Sequence, residues 1–205
     1  MRIGILGGTF NPPHLGHLVC AQEAYLQLHL DRVMVIPAWI PPHKPVEDEP
    51  GASHRLELCR LAFQRDESRF AVSDLEIRRE GTSYTVDTLQ ELQTREPDSE
   101  LYLIVGADIA AGLPKWRDPE RVLSLATLAV AQRPGTGPEA VERALGELNG
   151  AERARFFDMP EIGISSTMLR TRVREGQPIR YLTTDAVGGY IARHNLYRDG
   201  PEDDS

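Results

Sequence analysis

Short runs of apolar residues recur along this chain and alternate with longer stretches in which apolar positions return every three or four residues. The first pattern is that of buried strands, and the second that of helices with one apolar face. Strands are expected at Arg2 to Leu6, Arg32 to Pro37, Arg69 to Leu75, Leu101 to Val105, Thr127 to Ala131 and Arg155 to Asp158. Helices are expected at Gly16 to Leu28, Ser53 to Gln64, Thr85 to Thr94, Pro119 to Leu125, Pro138 to Leu148, Ser166 to Glu175 and Thr184 to Arg193. Strands that alternate with helices pair in parallel, because each helix carries the chain back to the edge where the next strand starts. The expected class is therefore α/β. The proline-rich stretch from Ala38 to Gly51, which holds His43 and Lys44, lacks the donors for a helix or a central strand and is expected as a long loop at the edge of a site.

Composition narrows the picture. With 205 residues, of which 40% are apolar and 26% charged, one water-soluble domain over residues 1–198 is expected, followed by an acidic, disordered tail at 199–205. A net charge of -8 argues against nucleic acid or an anionic membrane as the main partner, although small anions can still bind where positive groups converge. Cys20 and Cys59 are too far apart for a paired metal or redox motif and fit helical apolar patterns, as buried thiols in a reducing compartment would. No apolar run has the length of a membrane span, and the start MRIGIL is too short for a signal peptide, so a cytoplasmic protein is expected.

The chemistry concentrates in two places. Gly7-Gly8-Thr9-Phe10-Asn11-Pro12-Pro13-His14-Leu15-Gly16-His17 joins the first strand to the first helix, which is where an α/β sheet binds ligands. Glycines let the backbone approach a phosphate, the helix start offers N–H groups and a positive dipole end, and His14 and His17 share one side of the first turn. A lone Gly-Gly turn with capping histidines would need no ligand; the coincidence of glycines, prolines and histidines at one strand end favours one. Further on, Gly163-Ile164-Ser165-Ser166-Thr167-Met168-Leu169-Arg170 opens a helix with three hydroxyl residues. Ser165 or Ser166 can cap it, leaving other hydroxyls and N–H groups for an anion, with Arg170 one turn on.

These motifs resemble the nucleotidylyltransferase superfamily. Within it the chain is similar to the bacterial nicotinate-nucleotide adenylyltransferase family, through Pro41-Pro42-His43-Lys44, Gly81 to Leu89, Val105-Gly106-Ala107-Asp108, Trp116 and Arg133-Pro134-Gly135. The phosphate motifs point to the superfamily; Ser83-Tyr84-Thr85-Val86-Asp87-Thr88-Leu89 and Gly106-Ala107-Asp108 followed by Trp116 point to the narrower family. Asn11 stands where aspartate is common, which weakens any role there for a carboxylate. The resemblance implies a single Rossmann-like, doubly wound domain of nucleotidylyltransferase type. Its partners would be ATP and nicotinic acid mononucleotide, with Mg²⁺ carried on the ATP phosphates and no protein metal cage; a homo-oligomer is compatible with it.

The resemblance also implies roles. Gly8, Thr9, Phe10, His14 and His17 would hold ATP phosphates, with Ser165, Ser166, Thr167 and Arg170 on the phosphate tail. Gly106 and Asp108 would take the adenosine portion, and Arg133 a further nucleotide contact; Asp108 could instead cap a helix. Lys44 would reach the reacting phosphates, so that His14, His17, Lys44 and Arg170 form the catalytic set. Thr85, Val86, Trp116 and Arg117, with Lys44, would hold the mononucleotide. The implied reaction needs no base, because a phosphate monoester with a second pKa of roughly 6 is already mostly dianionic at neutral pH. Adenylation of phosphopantetheine, cytidyl transfer to an alcohol phosphate, a nucleotide-binding regulator without turnover, and a hydrolase with a metal on His14 and His17 are the rival readings.

Overall fold

The computed structural model of the chain describes residues 1–42, 49–132, 138–146 and 148–198. Six strands, β1 (Arg2–Gly8), β2 (Arg32–Pro37), β3 (Phe70–Val72), β4 (Glu100–Gly106), β5 (Ala126–Gln132) and β6 (Arg155–Asp158), form one sheet in the order β3-β2-β1-β4-β5-β6. Every pairing is parallel, so the sheet is wholly rather than mainly so. Nine α-helices among the described residues cover its faces: α1 (Leu15–Gln27), α2 (Ala52–Phe63), α3 (Leu75–Arg79), α4 (Thr85–Arg95), α5 (Ala107–Ala111), α6 (Pro119–Leu125), α7 (Glu139–Leu145), α8 (Ser166–Arg174) and α9 (Asp185–Arg193). No helix among the described residues is long and apolar enough to cross a membrane.

Alternation within the strands divides the core. Leu6, Val33, Val35, Ile104 and Ala129 point to one face, where they meet Ala21 and Ala24 of α1, Leu58, Cys59 and Ala62 of α2, and Val187 and Ile191 of α9. Ile3, Ile5, Ile36, Leu103, Leu128 and Val130 point to the other and pack on α4, α6 and α7 through Leu89, Val122 and Val141. Cys59 is buried and Cys20 half-buried, and burial pushes both thiols up.

One expectation gives way. The third strand was expected to run from Arg69 to Leu75, but it stops at Val72 because Leu75 opens the short helix α3, whose apolar content is too small to show a period. The interval after β4 also holds a helix, α5, too short to read from periodicity. The tail at 199–205 lies outside the described residues.

The order of strand addition reverses between β1 and β4, which run parallel. From β1 the chain turns to α1 on the first face, and from β4 to α5 on the second, so a crevice opens at the carboxyl ends of these neighbouring strands. Close packing of β1 at this point depends on Gly4, where a Cβ would come within 2.7 Å of Leu30 Cδ1 and 2.8 Å of Ile104 Cδ1. Gly4→Ala is therefore expected to overpack the sheet centre and cost about 1 to 3 kcal/mol, measured as a lower urea midpoint at unchanged slope.

Candidate active site

The loop from Thr9 to His14 lies at the β1 end of the crevice, and donors from distant parts of the chain hold its carbonyl groups. Arg55 Nη1 donates to Thr9 O at 3.0 Å, and Arg170 Nη1 to Asn11 O at 3.0 Å. The hydroxyls of Ser166 and Thr183 donate to Pro12 O and Pro13 O, each at 2.8 Å. Tyr197 donates its hydroxyl to Asn11 Oδ1 at 2.7 Å, so the asparagine side chain acts as an acceptor inside the fold. A loop that is to meet phosphate cannot present free carbonyl oxygens, and here the carbonyls of Thr9, Asn11, Pro12 and Pro13 are all engaged by donors.

His14 caps α1, and its backbone N–H donates to Nδ1 of His17 at 3.1 Å. The two rings lie with centroids 3.8 Å apart, and the His17 ring meets Phe10 edge-on at 5.0 Å. Gly16 makes this possible, because a Cβ there would sit 3.0 Å from the His14 ring. Burial lowers the pKa of His14 to about 4, and burial together with the adjacent His14 lowers that of His17 to about 3. Both rings are neutral at pH 7. Since Nδ1 of His17 is an acceptor, its ring proton belongs on Nε2, which makes it a neutral donor. His17 is half-buried rather than exposed, as its place in the first helical turn would suggest, because Phe10 and His14 cover it.

The second motif meets the first across the crevice. Ser165 is the cap of α8, accepting from Met168 N at 3.1 Å, which resolves the choice between the two serines. The Ser166 hydroxyl proton goes to Pro12 O, so this side chain ties the motifs together. Arg170 is buried at 7% exposure, with Nη2 reaching Thr167 Oγ1 at 3.5 Å. Gly8 and Gly106 end the adjacent strands β1 and β4. Gly106 caps α5, not Asp108; the exposed Asp108 folds back so that its carboxylate occupies the space a side chain at 106 would need.

A second wall is built from the segment after β2 and the start of α4. Trp39 N donates to Ser83 Oγ at 2.9 Å, and Ser83 N to Ile40 O at 2.8 Å. Tyr84 is the cap of α4, so Thr85 and Val86 occupy the first turn, where N–H groups have no acceptor within the helix. The Val86 side chain is buried in the core, leaving only its backbone to face a ligand. Trp116 is half-buried beside this core, and Arg117 lies over the Tyr84 ring at 4.6 Å with Nη1 3.2 Å from the Asp87 carboxylate. Arg117 thus reaches the start of α4 but shares its charge with Asp87. Lys44 and Arg133 lie outside the described residues.

Sequence reasoning missed two buried charges. Arg55 stands among Leu58, Cys59 and Ala62 on the buried stripe of α2, and a cation on an apolar stripe was the available signal. Glu76 belongs to α3; burial raises its carboxyl pKa, opposed by hydrogen bonds from Thr88 and Ser83 and by the Arg79 charge. The Thr88 hydroxyl lies 2.5 Å from Glu76 Oε1, and Arg79 Nη2 donates to that same hydroxyl at 2.8 Å.

Comparison with known proteins gives the family and the fold. The cytidylyltransferase-like family matches residues 5–172. A probable nicotinate-nucleotide adenylyltransferase from Synechococcus sp. (strain JA-3-3Ab) is 44% identical over 97% of this chain and 95% of its own. Another from Roseiflexus sp. (strain RS-1) is 48% identical over 96% and 98%. Among solved structures, Plasmodium falciparum nicotinic acid mononucleotide adenylyltransferase complexed with NaAD superposes with a TM-score of 0.76 at 19% identity, over 96% of this chain and 97% of that one. That likeness carries the fold.

The two depressed histidines set a pH dependence. In the unfolded chain each titrates near 6.5, in the folded chain at about 4 and about 3, so below pH 6.5 the unfolded state takes up protons that the folded state refuses. The stabilisation is complete above about pH 7 and is lost as the pH falls from about 6.5 towards 4. Urea midpoints across that range should fall more steeply for the natural protein than for His17→Asn, which has one such proton fewer to take up on unfolding.

Proposed function

Because the chain belongs to the cytidylyltransferase-like family and, within it, to the nicotinate-nucleotide adenylyltransferases, we propose that it transfers the adenylyl group of ATP to nicotinic acid mononucleotide. The products are nicotinic acid adenine dinucleotide and pyrophosphate, as in NAD biosynthesis. One observation carries this reading: two phosphate-type motifs about 150 residues apart are tied together by Ser166 and Arg170 on the carbonyls of Pro12 and Asn11, at the reversal point of a parallel sheet.

An oxygen of the mononucleotide 5′-phosphate attacks the α-phosphorus of ATP. The bond to the bridging oxygen breaks, and pyrophosphate leaves with the electron pair. The nucleophile is already dianionic, so the protein has to align two anions and stabilise the charge on the transferring and leaving oxygens. Gly8, Thr9, Phe10 and the start of α1 approach the phosphates through backbone N–H groups, and His14 and His17 act as neutral donors. The start of α8, with Ser165, Thr167 and the buried charge of Arg170, adds positive potential on the opposite side. Gly106, Asp108 and Arg133 take the adenosine portion, and Lys44 reaches the reacting phosphates. Among the described residues no three His, Cys, Asp or Glu side chains gather as a metal site, and a Mg²⁺ held by phosphate oxygens and waters needs none. Bound there, the ion would neutralise phosphate charge. The same reading puts the enzyme in the cytoplasm, where thiols such as Cys20 and Cys59 persist.

His17→Asn separates the two functions of that ring. Asparagine can still accept from the His14 N–H but has no donor where Nε2 stood, and losing one transition-state donor costs about 2.7 to 4 kcal/mol. Turnover should fall roughly a hundredfold or more under saturating ATP in protein that circular dichroism shows to be folded at pH 7.5; near-normal turnover would remove His17 from the mechanism.

Substrate choice tests the assignment as a whole. A nicotinate carboxylate accepts from the first-turn N–H groups of α4 and gains from its dipole, with Trp116 excluding water. A carboxamide turns an NH₂ towards donors, at a cost of roughly 1 to 3 kcal/mol. Pyrophosphate release with ATP and Mg²⁺ should favour nicotinate over nicotinamide mononucleotide by at least about tenfold in kcat/KM. Equal rates would show that the pocket at Thr85 is misassigned, and the absence of release with either would reject the proposed reaction.

A further inference from the structure

We infer that Arg55 is the positioning residue that couples the two substrate sites, so that filling either one tightens the other. The inference rests on the reading above, in which the Thr9 loop meets ATP and the start of α4 meets the mononucleotide. Arg55 is wholly enclosed, at 0% exposure, so it touches no ligand itself. Its guanidinium nevertheless donates to three carbonyls from two different loops: Thr9 O at 3.0 Å, Ala38 O at 2.6 Å and Trp39 O at 3.0 Å. Its Nε is paired with Glu49 at 2.8 Å, on the far side of the proline-rich segment from Ala38.

From Trp39 the connection continues. The Trp39 N–H holds the Ser83 hydroxyl, and Ser83 returns its own N–H to Ile40 O. Ser83 immediately precedes Tyr84, the cap of the helix whose first turn faces the mononucleotide. The polar chain therefore runs from Thr9 O through the guanidinium to Trp39, then to Ser83 and the start of α4, with a geometrically good hydrogen bond at each step.

Holding α2 against the sheet would not require a cation. A leucine at position 55 would extend the stripe of Leu58, Cys59 and Ala62 without the desolvation cost of a buried guanidinium. What leucine cannot do is fix two loops to one rigid planar fork. Because both loops hang on the same guanidinium, a shift of one loop towards its substrate carries the fork and the other loop with it, so that the second substrate meets a loop already drawn into place. By linkage the effect is equal in both directions.

The test is the dissociation constant of an ATP analogue with a methylene group between its α- and β-phosphorus atoms, which cannot transfer its adenylyl group. It is measured by calorimetry with and without saturating nicotinic acid mononucleotide, on the natural protein, Arg55→Lys and Ser83→Ala. The mononucleotide should tighten the analogue by about fivefold or more in the natural protein. In Arg55→Lys, which keeps the charge but cannot span three carbonyls, and in Ser83→Ala, which breaks the chain at Trp39, the ratio should fall towards one. Loss of stability alone would leave this ratio unchanged. If circular dichroism shows Arg55→Lys to be unfolded, Ser83→Ala decides. A ratio of one in the natural protein, or an undiminished ratio in the folded variants, overturns the inference while pyrophosphate release still upholds the reaction. Absence of release with these substrates would overturn both.

Discussion

Everything at this site depends on keeping the carbonyl oxygens of one short loop occupied. A backbone that is to receive several phosphate charges carries its own partial negative charges, and these repel the ligand unless donors engage them. The donors here come from α2, α8, the segment before α9 and the segment after it: Arg55, Arg170, Ser166 and Thr183, with Tyr197 on the neighbouring side chain. The two buried arginines do more than cancel dipoles. Their planar forks also set the loop's position: Arg55, its charge paired with Glu49, spans three carbonyls, and Arg170 holds Asn11 O.

The same constraint explains why the histidines are neutral. A cationic imidazole would be an obvious phosphate ligand, yet enclosure by Phe10, Gly16 and the partner ring makes a charge there expensive. The arrangement provides directed donors whose proton count is fixed at physiological pH.

The fold was legible because its strands are buried on both faces and stand out as apolar runs. β2, β6 and α6 fall where the pattern puts them, and β1, β4 and β5 differ only at their ends. α3 and α5 were invisible for one reason: five residues make little more than one turn, too few for a period to repeat. At the site, the pairing of His14 with His17 follows from spacing along a helix and could be read directly. The meeting of Asn11 with Arg170 could not, since no local pattern reports a contact across 159 residues; the resemblance put both motifs on one nucleotide but paired no residue of one with a residue of the other. Arg55 and Glu76 escaped because a charge in an otherwise apolar stripe has the same appearance whether it is buried or at the edge of the stripe.

The bond from Tyr197 to Asn11 spans 186 residues and joins nearly the last described turn of the chain to its first loop. During synthesis the glycine loop leaves the ribosome well before its braces in α8, at Thr183 and at Tyr197. A nascent chain can therefore assemble much of the sheet and still have no finished nucleotide site. The capacity to hold a nucleotide comes after the loop that receives it, once the partners 159 and 186 residues further on have been added.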